Sequence, residues 1–189
     1  PGTWHGAVQA AVVAALEDAG ARPDEVRGIG VSGQQHGAVL LDETYGPIRA
    51  AKLWCDTSTA AQAEALTAAL GRPVPAGFTA PKLRYTADEE PELRERTRHV
   101  LLPHDFVTAC LAHDLFTEVG DASGTGYLDV DGGTWDARAM EATAPGLGER
   151  VPRIVPADGV AAEVVPSSAE WLGLAPGTPV SAGGGDNML

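Results

Sequence analysis

The chain is 189 residues long, with 44% hydrophobic and 21% charged residues and a formal net charge of −13. That length can bury one substantial core, and the acidity argues against nucleic acid or an anionic membrane as partner, because both require a basic face. Cys55 and Cys110 stand far apart with no CxxC pair, which excludes a disulfide framework or thiolate zinc site and fits a reducing cytoplasm.

Trp4, Val8, Ala11, Val12, Ala15 and Leu16 recur at spacings of three to four and predict a first helix. Thr3 is its expected cap, Gly20 its end, and Pro23 prevents its continuation. Residues 26–32 predict a short strand buried on both faces. Residues 38–41 and 48–54 predict two strands of a hairpin around the turn at 42–47. A strong helix former over 60–70 is stopped by Gly71, and a second helical patch runs from Pro81 to about Thr86. A strand at 100–102, a helix from His104 to about Ala112, a polar glycine-rich loop at 121–126 and a strand at 127–130 follow. A proline-rich connection (Pro145, Pro152, Pro156, Pro166) leads to the last expected strand, 179–182. This alternation predicts an α/β fold. No apolar run has membrane length, and no basic stretch followed by an apolar one opens the chain, so neither a span nor a leader is expected.

Gly28, Gly30 and Gly33 satisfy G-x-G-x-x-G, but the glycines lie inside the predicted strand and not at a strand-to-helix turn, which argues against a dinucleotide site. Ser32 lacks the G-x-S-x-G spacing of a hydrolase elbow. His36, His104 and His113 show no paired metal-ligand spacing, so no metal ligand is assigned. Two other stretches look alike: GIGVSGQQHG and PVSAGGGDN each run a strand into a glycine-rich mouth ending on polar side chains. Taken alone, the first reads as a turn, and the second as a loose turn with Asp186 capping a helix. Read together at strand ends, Gln35, His36, Asp186 and Asn187 suit a neutral polyhydroxylated ligand. An ordinary carboxylate, with a pKa of about 4, is a weak base toward an alcohol. It becomes useful in phosphoryl transfer, where positioning dominates and the hydroxyl proton leaves late.

The runs GIGVSGQQHGAVLLDE, IRAAKLWCDTST, GFTAPKLRY, VLLPHDF, GDASGTGYLDV and PVSAGGGDN follow one another across nearly the whole chain. In that combination the chain resembles the FGGY carbohydrate kinases. The resemblance implies a ribonuclease-H-like, actin-like ATPase fold. Residues 1–189 would form an incomplete N-terminal, sugar-binding domain without its first strands, and a second domain would begin after 189. It also implies transfer of the γ-phosphate of ATP, with Mg2+, to the 5-hydroxyl of D-xylulose. Most of the nucleotide site would lie outside this chain, so the isolated chain is expected to be inactive. By that resemblance Asp186 matches the catalytic proton acceptor, Gln35 and His36 the substrate-binding pair, and Asn187 a neighbouring sugar contact. The expected partners are a small-molecule sugar and a second copy of the chain as a homodimer.

Departures from the family pattern are local. Gln35 stands where the family has Met, Cys55 where it has Asn, Ser58 where it has Arg and His104 where it has Lys. The first falls in the sugar pocket, and the third removes a cation from near the cleft. Two readings compete with the ketopentose one: another kinase of this family acting on ribulose, glycerol or a related polyol, and a non-catalytic module that binds a sugar or a partner.

Overall fold

The computed structural model describes residues 1–187. Helix α1 (Gly2–Ala19) ends at Gly20, whose left-handed backbone (φ 60°) turns its N–H back onto the carbonyls of Leu16 and Glu17. Thr3 lies inside this helix and no side chain caps its start, so the expected capping role is unfilled. The predicted stripe is real: Val8, Val12 and Leu16 pack against Val31, Leu111, Leu172 and Val180, while Trp4 meets the cluster of Val39, Leu41, Leu101 and Phe106.

The strand expected over 26–32 is much shorter. Only β1 (Ser32–Gly33) is regular, preceded by a bridge from Ile29 to Val180. Nor is it buried on both faces: Val31 is buried, but Gly28, Gly30 and Ser32 are exposed. The hairpin expectation holds in its turn, where the Asp42 carboxylate accepts hydrogen bonds from Thr44 N–H, Thr44 Oγ1 and Gly46 N–H. Its return arm, however, makes only isolated bridges at Pro47 and Lys52. Pro47 has no N–H to give a ladder. Strand β2 (Val39–Leu41) runs antiparallel to a different partner, β3 (His99–Leu101), reached through helices α2 (Ala60–Leu70), α3 (Thr79–Glu89) and α4 (Pro91–Arg96).

Helix α5 (Pro103–Ala112) begins directly after β3 with proline in its first turn, where a missing N–H costs nothing. Strand β4 (Phe116–Glu118) then enters α6 (Val119–Ala122) and a 3-10 turn, Ser123–Thr125, which replace the loop expected over 121–126. Glu118 accounts for the difference, because its carboxylate accepts the N–H groups of Gly120 and Asp121 and nucleates the turn. Strands β5 (Leu128–Asp129) and β6 (Thr134–Trp135) form a small antiparallel pair before α7 (Ala137–Thr143). The proline-rich connection also proves structured: β7 (Arg153–Val155), β8 (Val160–Glu163) and α8 (Pro166–Leu172) lie within it. Pro166 occupies the first turn of α8, where proline favours a helix. Strand β9 (Pro179–Ser181) pairs antiparallel with β8, and β10 (Gly184–Gly185) pairs parallel with β1.

Among the described residues β1 has β10 as its one strand neighbour, so its other edge is open beside exposed Gly28, Gly30 and Ser32. Open edges recruit other chains. The isolated 189-residue chain is therefore expected to self-associate increasingly with concentration in size-exclusion chromatography with light scattering. A monodisperse monomer throughout would show that this edge is protected.

Candidate functional site

Because β1 and β10 run parallel, their carboxyl ends open in the same direction, the position in open α/β sheets where ligands bind. Gln34, Gln35 and His36 follow the first strand; Asp186 and Asn187 follow the second. The structure brings the two mouths into contact. The Asp186 N–H donates to the Gly33 carbonyl at 2.8 Å, and Asn187 Nδ2 donates to Gln35 Oε1 at 3.3 Å. Glycine is required for this approach: a Cβ on Gly185 would lie 2.5 Å from Gln35 Cγ. Asp186 and Asn187 are exposed, whereas Gln35 is buried beneath them.

His36 has a left-handed backbone (φ 62°) and stacks on Phe78, with ring centroids 4.9 Å apart. Its Nδ1 lies 3.0 Å from the Gly124 carbonyl oxygen, which assigns the proton to Nδ1 and leaves Nε2 as an acceptor in the neutral ring. Burial holds the His36 pKa below the ordinary histidine value, with nearby Lys82 adding to that shift, although the Gly124 bond and Asp186 oppose it. A neutral imidazole and two amides can bind the hydroxyls of an uncharged ligand, and the carboxylate beside them can receive a proton from one of those hydroxyls.

Sequence reasoning assigned no role to two further residues that shape this site. Lys82 is fully buried in α3 and donates from Nζ to the carbonyls of Gly77 and Phe78, fixing the turn that carries the aromatic platform of His36. Burial pushes its pKa down to about 8. A lysine as the one charged residue of the run FTAPKL was the available signal. The second residue is His104, also fully buried, whose Nε2 donates to the Ala182 carbonyl at 2.7 Å. Its Nδ1 lies 3.1 Å from Asp105 Oδ1 and 3.4 Å from Asp121 Oδ2. Burial alone would lower the His104 pKa, but the two carboxylates outweigh it and the ring is pushed up to about 10. Burial likewise pushes Asp121 up to about 6, with the nearby His104 opposing that rise. The ligating atoms of His104, Asp105 and Asp121 lie within 4.8 Å of one another. At these distances the three side chains form a buried ion-pair cluster.

Beside Ser58 stands Lys52, with Nζ 3.3 Å from Asp56 Oδ2 and 3.4 Å from Ser58 Oγ. A cleft of about 590 Å³ lined by His5, Tyr45, Phe106, His113 and Trp171 shares no residue with the site at the strand ends.

Residues 1–189 match the N-terminal domain of the FGGY family of carbohydrate kinases. The chain belongs to that family. It is 37% identical over 205 residues to the xylulose kinase of Haemophilus influenzae, in an alignment covering 100% of this chain and 42% of that protein. The xylulose kinase of Streptomyces coelicolor is 36% identical over 185 residues, covering 92% and 37% respectively. Among solved structures, the xyloylose kinase from Brucella ovis superposes with a TM-score of 0.75 at 34% identity, over 87% of this chain and 34% of that one. The ligand-bound xylulose kinase from Lactobacillus acidophilus reaches a TM-score of 0.85 over 97% of this chain and 39% of its own; at 18% identity it speaks for the fold alone. This FGGY domain spans about two fifths of the length of the curated relatives it matches. The α/β sugar-kinase fold expected from the motifs is therefore the fold observed. Among the described residues, no helix is long and apolar enough to cross a membrane.

Proposed function

We propose that this chain is the sugar-binding domain of a cytoplasmic xylulokinase, which transfers the γ-phosphate of ATP to the 5-hydroxyl of D-xylulose. The observation that carries the reading is the convergence of Gln35, His36, Asp186 and Asn187 at the carboxyl ends of β1 and β10. The similarity to xylulose kinases over the whole chain supports it. In this scheme His36 Nε2 and the Gln35 and Asn187 amides hold the sugar hydroxyls. Asp186, exposed at the mouth, receives the proton of the attacking hydroxyl as the phosphorus–oxygen bond forms.

Among the described residues, no group of metal-ligand spacing includes Asp186. The group with metal-ligand spacing among the described residues, His104, Asp105 and Asp121, is fully buried. Nucleotide and metal are thus assigned to parts of a longer kinase, and no step here depends on their position. Cys55 and Cys110 are free thiols, in keeping with a reducing compartment.

Calorimetric titration of the chain with D-xylulose, D-ribulose and glycerol tests the assignment. D-Xylulose is expected to bind most tightly, and preference for either other ligand would move the chain to a different branch of the family. His36→Ala is expected to weaken sugar binding by roughly 0.5–1.5 kcal/mol, the usual worth of one hydrogen bond to a neutral hydroxyl. In a kinase carrying this domain, ATP affinity would change less; equal losses would make His36 a structural residue. Because the folded-state pKa of His36 lies below 6.5, the neutral ring is present at pH 7 and its contribution is lost as pH falls through that lowered value. A loss of affinity already setting in above pH 6.5 would implicate another group.

A further inference from the structure

We propose that the buried imidazolium of His104 is the positioning residue of this site, a single cation that clamps both of its arms. The proposal rests on the sugar-kinase reading above and concerns how the side chains of that site are held. One arm is the chain between β9 and β10. There Ala182 is buried and its carbonyl bonds to His104 Nε2 at 2.7 Å, and at Gly183 the backbone turns left-handed (φ 68°) before reaching Asp186. The other arm is α6 and the turn after it, where Asp121 faces His104 Nδ1, and Gly124, three residues on, holds His36 through its carbonyl. His104 itself is held at the start of α5, where Asp105 accepts the Leu102 N–H at 2.9 Å and presents its other oxygen to the ring.

The packing leaves the ring little freedom. A Cβ on Gly183 would lie 2.7 Å from His104 Nε2, and one on Gly33 would lie 2.8 Å from His104 Cα, so both glycine mouths close directly onto this residue. The charge matters as much as the shape. A neutral ring donating to Ala182 would turn its Nδ1 lone pair toward two buried carboxylates, and the repulsion would open the cluster. An imidazolium donates from Nε2 to Ala182 and sets its positive Nδ1 edge within 3.4 Å of both carboxylates, as an ion pair and not through hydrogen bonds. His104 does not touch the proposed sugar position; it acts through Ala182 and Asp121.

Lysine is the conservative replacement, being a cation with several donors, whereas glutamine keeps a donor for Ala182 and loses the charge. The test compares wild type, His104→Lys and the double variant His104→Gln with Asp121→Asn, which lowers the buried negative charge and so favours folding without the clamp. In the wild-type chain, side-chain nitrogen NMR is expected to show His104 protonated on both nitrogens at pH 7; a neutral ring would overturn the proposal. The backbone amide signals of Gly184, Gly185 and Asp186 are expected to shift and broaden in the double variant and to stay near their wild-type positions in His104→Lys. These readouts do not depend on what the domain binds. In a longer kinase carrying the domain, the double variant is expected to lose at least about tenfold in kcat with a smaller change in KM, and His104→Lys to restore it. If the double variant folds with unshifted amides and wild-type kcat, or if lysine fails to restore either, His104 is a packing residue only. If the amides respond as expected but wild type does not phosphorylate D-xylulose, the clamp stands and the substrate assignment falls.

Discussion

Replacing Asp186 by asparagine is expected to abolish turnover in a kinase carrying this domain, while leaving sugar affinity within a few-fold. Removal of a general base costs typically 10²–10⁴ in rate, about 3–5 kcal/mol of transition-state stabilisation. The structure makes the substitution a clean one. Asp186 is exposed, and what anchors it is its own N–H on the Gly33 carbonyl at 2.8 Å, a bond that asparagine keeps. The amide preserves size and one acceptor but cannot take up the hydroxyl proton. The check is kcat and KM for D-xylulose beside calorimetric affinity. A variant retaining more than about a tenth of wild-type kcat would reduce Asp186 to a turn residue.

Gly183→Ala is expected to damage the fold itself and the site with it. The backbone at Gly183 has φ 68°, a region that costs an L-residue about 1–2 kcal/mol. The added methyl would also overlap the Val31 carbonyl oxygen, a backbone atom, and approach His104 Nε2 to 2.7 Å. Overpacking of this kind costs about 1–3 kcal/mol, so the sum is about 2–5 kcal/mol. For a domain of this size that lowers the melting temperature by roughly 4–20 °C. Gly20→Ala is the matched control, since Gly20 has a similar φ of 60° but nothing within 4 Å of the new methyl. It should cost only the backbone penalty. Equal melting temperatures for the two variants would mean that the β9–β10 turn yields easily, and that His104 does not hold it.

Much of the local structure was legible in the chain. The alanine-rich helix stopped at Gly71, the helix entered at Pro103 and the turn around Asp42 all follow from short-range rules, because capping, left-handed glycines and Asx-type bonds involve neighbours in sequence. The two glycine-rich mouths were legible for the same reason. Misreadings occurred where a neighbour two or three residues away supplied an unanticipated bond, as Glu118 does in turning the expected loop at 121–126 into helix. They also occurred where prolines that looked like breakers proved to be helix starts, as at Pro166.

The sequence by itself determined the family pattern, the α/β alternation and the candidate side chains, since each of these is written in residue type and spacing over a few positions. Only the tertiary structure decided that Asn187 reaches Gln35, that Gly124 holds His36 and that a buried histidine meets two aspartates. Except for that of His104 with its neighbour Asp105, these contacts join residues far apart in the chain. Whether a buried charge such as His104 is tolerable depends on which distant carbonyls and carboxylates the fold delivers to it, here Ala182 and Asp121. Local periodicity carries no record of that delivery, because it arises from the parallel pairing of β1 with β10 and the packing of α5 and α6 beneath them.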